Sequence, residues 1–296
     1  MKKHLAAFAA LSLIGACASA ASPPSASLQD IAIRFDARAG DQSLRCGQSY
    51  SGIGSTGASV TLQDFRIYVS NFRLIDRDGR EQALQLTPDG GFQGDRVALL
   101  DFENASGNCN GNSATNSVVR GRAPAGDYVG LVFDIGVPVE LNHQDTTLAA
   151  PPLNFSALTW AWRYGYKFTT IDLETGRAQD AAAAMPGHGA SGFSIHLGSV
   201  DCGAGSPRTP PESPCATPNR PTYRLEAFDP ARQIVVLDLS ELLASTDVTI
   251  NDPESASGCM SGEGDDDCVA IMDRFGLPFR GQASHGQRFV RAAGAS

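Results

Sequence analysis

The chain has 296 residues, seven cysteines and a formal net charge of −9 at pH 7. An acidic chain of this kind is a poor nucleic-acid binder, because phosphate binding depends on clustered Lys and Arg. Beyond the first residues, no apolar run reaches the roughly 20 residues that a membrane-spanning helix needs. The composition therefore favours a soluble globular protein.

The N-terminus carries a secretory pattern. Lys2 and Lys3 precede an apolar run over residues 5–16, which is too short to cross a bilayer. The lipobox-like run Ile14-Gly15-Ala16-Cys17 would leave Cys17 as a lipidated N-terminus, whereas Ala18-Ser19-Ala20 would suit an ordinary signal peptidase. We favour the lipobox because it gives Cys17 a purpose.

Three parts of the chain are predicted from these signals. Residues 1–17 form the signal peptide, residues 18–29 form a flexible Ser/Pro/Ala tether, and residues 30–296 form a single domain. The expected location is the periplasm, with a lipid on Cys17 anchoring the protein to the outer membrane. That anchor is the only membrane contact expected.

The domain is predicted to be mainly β. Residues 60–74 alternate apolar and polar side chains, a turn follows at Asp76–Gly79, and residues 81–86 are a strand partner. Further strands are predicted at residues 97–102, 128–135, 158–172, 193–197, 222–228 and 234–239, and short helices at 240–244 and 269–275. This pattern indicates a β-sandwich or distorted barrel with short helices and disulfide-stapled loops.

Six cysteines follow Cys17, and an even number in an exported chain favours three disulfides among roughly 15 connectivities. Nearby cysteines meet most often, which favours the pairs Cys202–Cys215 and Cys259–Cys268. Cys46 and Cys109 are then left for each other. No Cys-x-x-Cys occurs, so a zinc knuckle, c-type haem attachment and thioredoxin chemistry are disfavoured.

Several apparent motifs carry little weight. The glycines of residues 52–57 match the dinucleotide fingerprint in letters, but no strand precedes them and no helix follows, which predicts a plain loop. Asp265, Asp266, Asp267 and Glu263 lack EF-hand spacing and are interpreted as a solvated acidic turn. Neither a Gly-x-Ser-x-Gly elbow nor a His-Glu-x-x-His pair is present, which disfavours a hydrolase.

The two tryptophans of the chain lie close together. On a strand, Trp160, Trp162, Tyr164 and Tyr166 would line one face, because residues two apart point the same way. On residue types alone, an aromatic core ladder or a sugar-stacking surface explains this stripe best. Lys167 follows it and is the only lysine after Lys3.

Two histidines are candidate metal ligands. Neutral imidazole is a common ligand for copper and zinc, and His143 and His196 lie in segments of mixed polarity. A single histidine on a strand is nevertheless more often a hydrogen-bonded structural residue. Their spacing alone does not show that these two side chains meet.

Several motifs in order resemble the MbnP-like family, which are periplasmic four-Cys proteins with a Trp-x-Trp motif. The Trp-x-Trp motif here is Trp160-Ala-Trp162, and Cys46, Cys109, Cys202 and Cys215 resemble the four cysteines, which supports the pairings above. The other matching segments are residues 64–74, 141–145, 152–154, 163–168, 196–202, 215–219 and 259–268.

The resemblance implies a non-enzymatic periplasmic protein that binds copper. It implies His143 and His196 as ligands, and Trp160 or Trp162 as a further ligand after oxidation to kynurenine; His188 is a reserve ligand. The expected partners are a dihaem cytochrome c peroxidase-like protein, which performs that oxidation, and outer-membrane copper-uptake machinery. The alternative is an extracytoplasmic carbohydrate- or surface-binding β module that uses the aromatic stripe.

Overall fold

The computed structural model describes residues 27–161, 163–175, 192–203, 206 and 208–295. Cys17, Trp162 and His188 lie outside these residues, as do the predicted signal peptide and most of the predicted tether. Within the described residues, no helix is both long and apolar enough to cross a bilayer. The first strand begins at Leu28 and pairs with Pro124, so the last two residues of the predicted tether belong to a sheet.

The described part of the chain is mainly β, as predicted. The strands are β1 (Leu28–Ala39), β2 (Gln42–Ser43), β3 (Ser49–Ile53), β4 (Ala58–Asp76), β5 (Glu81–Ala83), β6 (Gln85–Leu86), β7 (Val97–Asp101), β8 (Val118–Pro124), β9 (Tyr128–Ile135), β10 (Lys167–Thr175), β11 (Gly192–Gly198), β12 (Thr222–Leu225), β13 (Gln233–Asp238), β14 (Gly258–Cys259) and β15 (Val290–Gly294). The helices are α1 (Leu239–Leu243), α2 (Cys268–Phe275) and a 3₁₀ turn at Ser156–Leu158.

The strands form two sheets. One has the order β15-β13-β1-β8-β6, with β2 also paired to β1. The other has the order β12-β9-β4-β10-β11-β14, with β3, β5 and β7 also paired to β4. Phe35 of the first sheet packs edge-on against Phe72 and Phe133 of the second, with centroids 6.3 and 5.6 Å away. The apolar core therefore lies between the two sheets, as in a sandwich.

Strand β4 organises the second sheet. Along one edge it pairs first with β10, where Ile67 lies opposite Thr169, and then with β9, where Val69 lies opposite Ile135. Strand β9 thus ends at the point beside β4 where strand β10 begins. The long connection between them, residues 136–166, must emerge there, and it carries His143 and Trp160.

The structure forms the disulfides Cys46–Cys109, Cys202–Cys215 and Cys259–Cys268. Strand β3 includes Gly52 and Ile53, so the expectation that no strand precedes the glycine-rich run of residues 52–57 is wrong. Residues 54–57 form the turn of the β3–β4 hairpin, as the loop prediction required, and no helix follows. The prediction of a solvated acidic turn is wrong for Asp265. This side chain is buried and accepts a 2.8 Å hydrogen bond from the Met260 amide, because it organises the loop of the third disulfide.

Candidate functional site

A band of polar side chains crosses one face of the second sheet. Residues directly opposite each other in neighbouring strands share a face. The register therefore puts Asp101 of β7, Arg66 of β4, Thr170 of β10 and His196 of β11 in one row. These four side chains are all buried. Such a band on an otherwise apolar sheet marks a site, since buried polar groups are costly without a specific role.

His196 is held by a carboxylate. Its Nε2 lies 2.8 Å from Oδ1 of Asp172, the residue of β10 that lies diagonally across from it. Burial alone would raise the pKa of the Asp172 carboxyl, but the hydrogen bond with His196 and the charge of Lys167 hold that pKa below its ordinary value. The Asp172 carboxylate is thus ionised and fixes the orientation of the imidazole.

Charged groups surround this pair. Arg66 donates to both oxygens of Asp64, with its Nε 2.7 Å from Oδ1. Burial raises the pKa of Asp64 to about 7 although Arg66 opposes the shift. Burial and the neighbouring charge of Glu103 likewise raise the pKa of Asp101 to about 7, and its Oδ2 has no hydrogen-bond partner. The band therefore holds protons on carboxylates near neutral pH.

The described residues from Trp160 to Tyr166 are not part of a strand, so the strand predicted over residues 158–172 is wrong before Lys167, and its aromatic face is not formed by the described residues. Thr159 and Tyr166 form an isolated bridge, and the Trp160 amide donates to the Gly165 carbonyl at 3.1 Å, which closes a tight turn. Gly165 permits this turn because its φ is +76°, a conformation that other residues rarely adopt. Strand β10 begins only at Lys167.

The described aromatic side chains of this turn diverge. Tyr166 is fully buried, packs edge-on against Tyr68 with centroids 5.6 Å apart, and donates to the Leu153 carbonyl. Tyr164 is 37% exposed and lies beneath the guanidinium of Arg163. Neither the packed ladder nor the stacking platform expected of a strand is formed by these residues.

Trp160 lies over the end of β11. A Cβ built on Gly198 would be only 2.4 Å from Cζ3 of Trp160, so the indole rests directly on this glycine. Gly198 and His196 are two apart on one strand and share a face. The structure therefore brings Trp160 to the face of β11 that carries His196. A cavity of about 110 Å³ lies beside the indole, with room for several water molecules, lined by Asn142, Gln144, Asp145, Thr146, Thr159 and Tyr166.

His143 reaches the same end of β11 from the 136–166 connection. Its Nε2 lies 3.4 Å from Sγ of Cys215, in the disulfide with Cys202 that follows β11. The preceding residue, Asn142, is buried and accepts a hydrogen bond from the Tyr166 amide at 3.1 Å. Asn142 also donates to Ser199 at 3.3 Å, which ties the His143 segment both to the tryptophan turn and to the exit of β11.

Sequence reasoning missed the residues that hold these segments together. They are Asp172, Asn142, Ser261 and Asn219, of which Asn219 donates to the Gly198 carbonyl at 2.9 Å. The useful signal is that Asn142 and Asn219 stand inside segments already singled out by the family resemblance.

Candidate metal ligands lie in several parts of the described structure. In the described residues, three clusters bring at least three candidate ligand atoms within 4.8 Å of one another. Each contains a disulfide, whose sulfurs are not thiolates and so are poor ligands, and none contains His196. With Nε2 hydrogen-bonded to Asp172, Nδ1 is the nitrogen of His196 that could serve as a metal ligand. This carboxylate–histidine arrangement is typical of metal ligands.

Comparisons with a family model and with solved structures both identify MbnP. The MbnP family model matches residues 28–261. The solved structure described as MbnP from Methylosinus trichosporium is similar, with a TM-score of 0.80 and 33% sequence identity over 91% of this chain and 100% of that chain. A comparison with curated protein sequences finds no match.

Proposed function

Because this chain belongs to the MbnP family, we propose that it is a non-enzymatic, periplasmic copper-binding protein. The proposed ligands are His143, His196 and one tryptophan of the Trp-x-Trp motif after its oxidation to kynurenine. Imidazole and amine nitrogens suit copper by ligand type. A lipid on Cys17 would hold the protein at the outer membrane, where copper-uptake machinery is a further proposed partner.

One observation carries this proposal: three separate segments converge on the end of β11. His196 lies on that strand, Trp160 rests on Gly198 of the same strand, and His143 packs against the disulfide that follows it. The segments that carry two histidines and a tryptophan thus approach one end of β11, and the His196 imidazole is already oriented by Asp172, which supports a nitrogen-rich site there. This geometry supports copper binding more than any other function.

The tryptophan must change before it can serve as a ligand. The lone pair of the indole nitrogen belongs to the ring, whereas ring opening to kynurenine gives an aryl amine and a ketone. Opening adds two oxygen atoms and removes four electrons, and hydrolysis then releases one carbon as formate. We propose that a dihaem peroxidase-like partner supplies this oxidation, with two molecules of hydrogen peroxide that accept the four electrons and leave two molecules of water, so that this chain is the substrate of its partner.

The carbohydrate-binding alternative has lost its main support. It depends on an aromatic stripe along one face of a strand, but Trp160 lies against Gly198 and Tyr166 is buried. Of the described aromatics in this turn, Tyr164 is the one with more than a third of its surface exposed. Among the described residues of this turn, a single exposed ring is a small platform for stacking a sugar.

The first test is copper content of protein purified after co-expression with the haem partner. His143→Ala and His196→Ala should each remove most of the copper, because each deletes one nitrogen ligand. His285→Ala is the matched control, since His285 is almost fully exposed and pairs with Asp273 away from β11. A double variant, His143→Ala with His196→Ala, that keeps full copper would rule out the site.

The second test is peptide mass spectrometry of the same protein. The exchange of one carbon for one oxygen should be found on Trp160 or Trp162 in co-expressed protein and be missing from protein made alone. Trp160→Phe and Trp162→Phe, made separately, identify the modified position. If unmodified protein binds copper as tightly as co-expressed protein, the tryptophans are packing residues and the proposed third ligand is wrong.

A further inference from the structure

Ser261 lies in the loop closed by the Cys259–Cys268 disulfide, and its environment is unusual for a loop serine. It is only 1% exposed, and its φ of +70° is in the left-handed region that disfavours residues other than glycine. Its amide hydrogen points to Sγ of Cys268 at 3.3 Å, so the disulfide loop itself holds the residue in place. A strained, buried polar residue of this kind indicates a specific requirement for its side chain.

The Ser261 hydroxyl bridges two backbone groups of β11. It donates to the His196 carbonyl at 2.8 Å and accepts from the Gly198 amide at 3.0 Å. Strand β14 pairs with β11 only as far as Cys259, opposite Ile195. Beyond the end of this ladder, the hydroxyl forms the hydrogen bonds of the next two backbone groups along the edge of β11, which are the His196 carbonyl and the Gly198 amide.

The bridged backbone segment is the part of the molecule that carries the candidate site. His196 is one end of the bridge, and its ring is held by Asp172. Gly198 is the other end, and the Trp160 indole rests on it without room for a Cβ. A shift of a few tenths of an ångström in this backbone would therefore move the His196 imidazole relative to Gly198, on which the Trp160 indole lies.

We propose that Ser261 is a positioning residue of the candidate site, whose hydroxyl fixes the β11 backbone so that His196 and Trp160 face each other correctly. The consequence for copper rests on the proposed function, whereas the consequence for the backbone does not. The Cys259–Cys268 disulfide then has a role beyond stability, since it presents Ser261 to β11 in the required conformation.

Ser261→Gly is the informative variant. Glycine adopts φ of +70° without strain, so this variant removes the hydroxyl while relieving the backbone, and it should fold at least as readily as Ser261→Ala. In copper-free protein, the Gly198 amide should exchange with solvent about tenfold faster, which is the loss expected for one hydrogen bond. Nuclear Overhauser contacts between the Trp160 ring and Gly198 should weaken. Unchanged exchange and contacts would overturn the proposal.

Copper affinity is measured on protein co-expressed with the haem partner, in which the tryptophan is oxidised. Ser261→Gly should bind copper about tenfold more weakly, in line with losses seen when groups supporting a metal ligand are removed, with a melting temperature no lower than that of Ser261→Ala. Ser255→Ala is the control, because the Ser255 hydroxyl donates to Ala256 and to Asp265 of the same loop rather than to the β11 backbone. Faster Gly198 exchange with unchanged copper affinity would show a purely structural serine and overturn the positioning role. If the unaltered protein binds no copper, the proposed function fails, and the copper-free measurements still decide whether Ser261 positions Trp160.

Discussion

The candidate site joins two regions that are built differently. The strand region consists of β4, β7, β10 and β11, and carries His196 in a regular ladder. The loop region is residues 136–166, which carry His143 and Trp160 and contain only a 3₁₀ turn as regular structure among their described residues. In the strand region the register decides which side chains meet. In the loop region this is decided by individual hydrogen bonds and by one glycine.

This difference shows where each region is vulnerable. The polar band of the strand region places charged groups in the protein interior. The stability of this region should therefore fall strongly when a substitution leaves one of these charges unpaired. The loop region depends on local contacts such as Asn142 with Tyr166, each of which contributes about 1 kcal/mol. Substitutions in the two regions should therefore differ in size and in pH dependence.

The largest effect is expected for Arg66→Ala, measured at pH 8 by denaturant unfolding. Arg66 is buried and pairs with Asp64, and its removal leaves that carboxylate buried without a counter-charge. The free energy of unfolding should fall by about 3–5 kcal/mol. Arg77→Ala is the matched control, because the Arg77–Asp127 pair is mostly exposed and should contribute less than about 1 kcal/mol. Equal losses in both variants would contradict the importance assigned to the buried band.

The sequence predicts much of the strand region and little of its polar band. Strand β9 occupies residues 128–135, as predicted from its apolar run, and β4 exceeds the predicted 60–74 by two residues at each end. Strand β1 is not among the predicted strands, because it directly follows the Ser/Pro/Ala segment. The row of Asp101, Arg66, Thr170 and His196 could not be predicted, since it depends on register between four strands distant in sequence.

An effect that is smaller per pH unit is expected with pH, and buried carboxyl groups of the strand region contribute to it. The folded protein keeps protons on Asp64 and Asp101 up to about pH 7, whereas the unfolded chain releases them near the ordinary value of 3.8. The folded state thus binds more protons between these values, and its stability should fall as the pH rises from 5 to 7. One such proton corresponds to about 1.4 kcal/mol per pH unit.

Asp101→Asn tests this dependence because it removes one of the two protons with little change in shape. The plot of unfolding free energy against pH should be flatter for this variant than for the unaltered protein between pH 5 and 7. Asp127→Asn, at an exposed position, serves as the control and should leave the slope unchanged. A slope that is the same in all three proteins would mean that Asp101 is ionised in the folded state throughout this range.

In the loop region the sequence pattern was misleading for a physical reason. Aromatic residues at 160, 162, 164 and 166 alternate as they would on a strand, but Gly165 allows a reversal that the alternation does not reveal. The contact between His143 and Cys215 is equally absent from the sequence pattern, because the two residues are 72 positions apart. The family resemblance named these segments without showing how they are arranged.

The smallest effect is expected for Gly165→Ala, which tests whether one glycine sets the shape of the loop region. A Cβ at this position would lie 2.4 Å from the Asn142 carbonyl oxygen, and the φ of +76° is itself unfavourable for alanine. The free energy of unfolding should fall by about 1–3 kcal/mol. Gly79→Ala is the matched control, since Gly79 has φ +79° but nothing within 4 Å of its Cβ position. The difference between the two variants isolates the Asn142 contact and should be about 1 kcal/mol. Amide exchange in β10 and β11 should be the same in both variants. Faster exchange in Gly165→Ala alone, or equal losses of unfolding free energy in both variants, would show that the loop region and the strand region are not separable in this way.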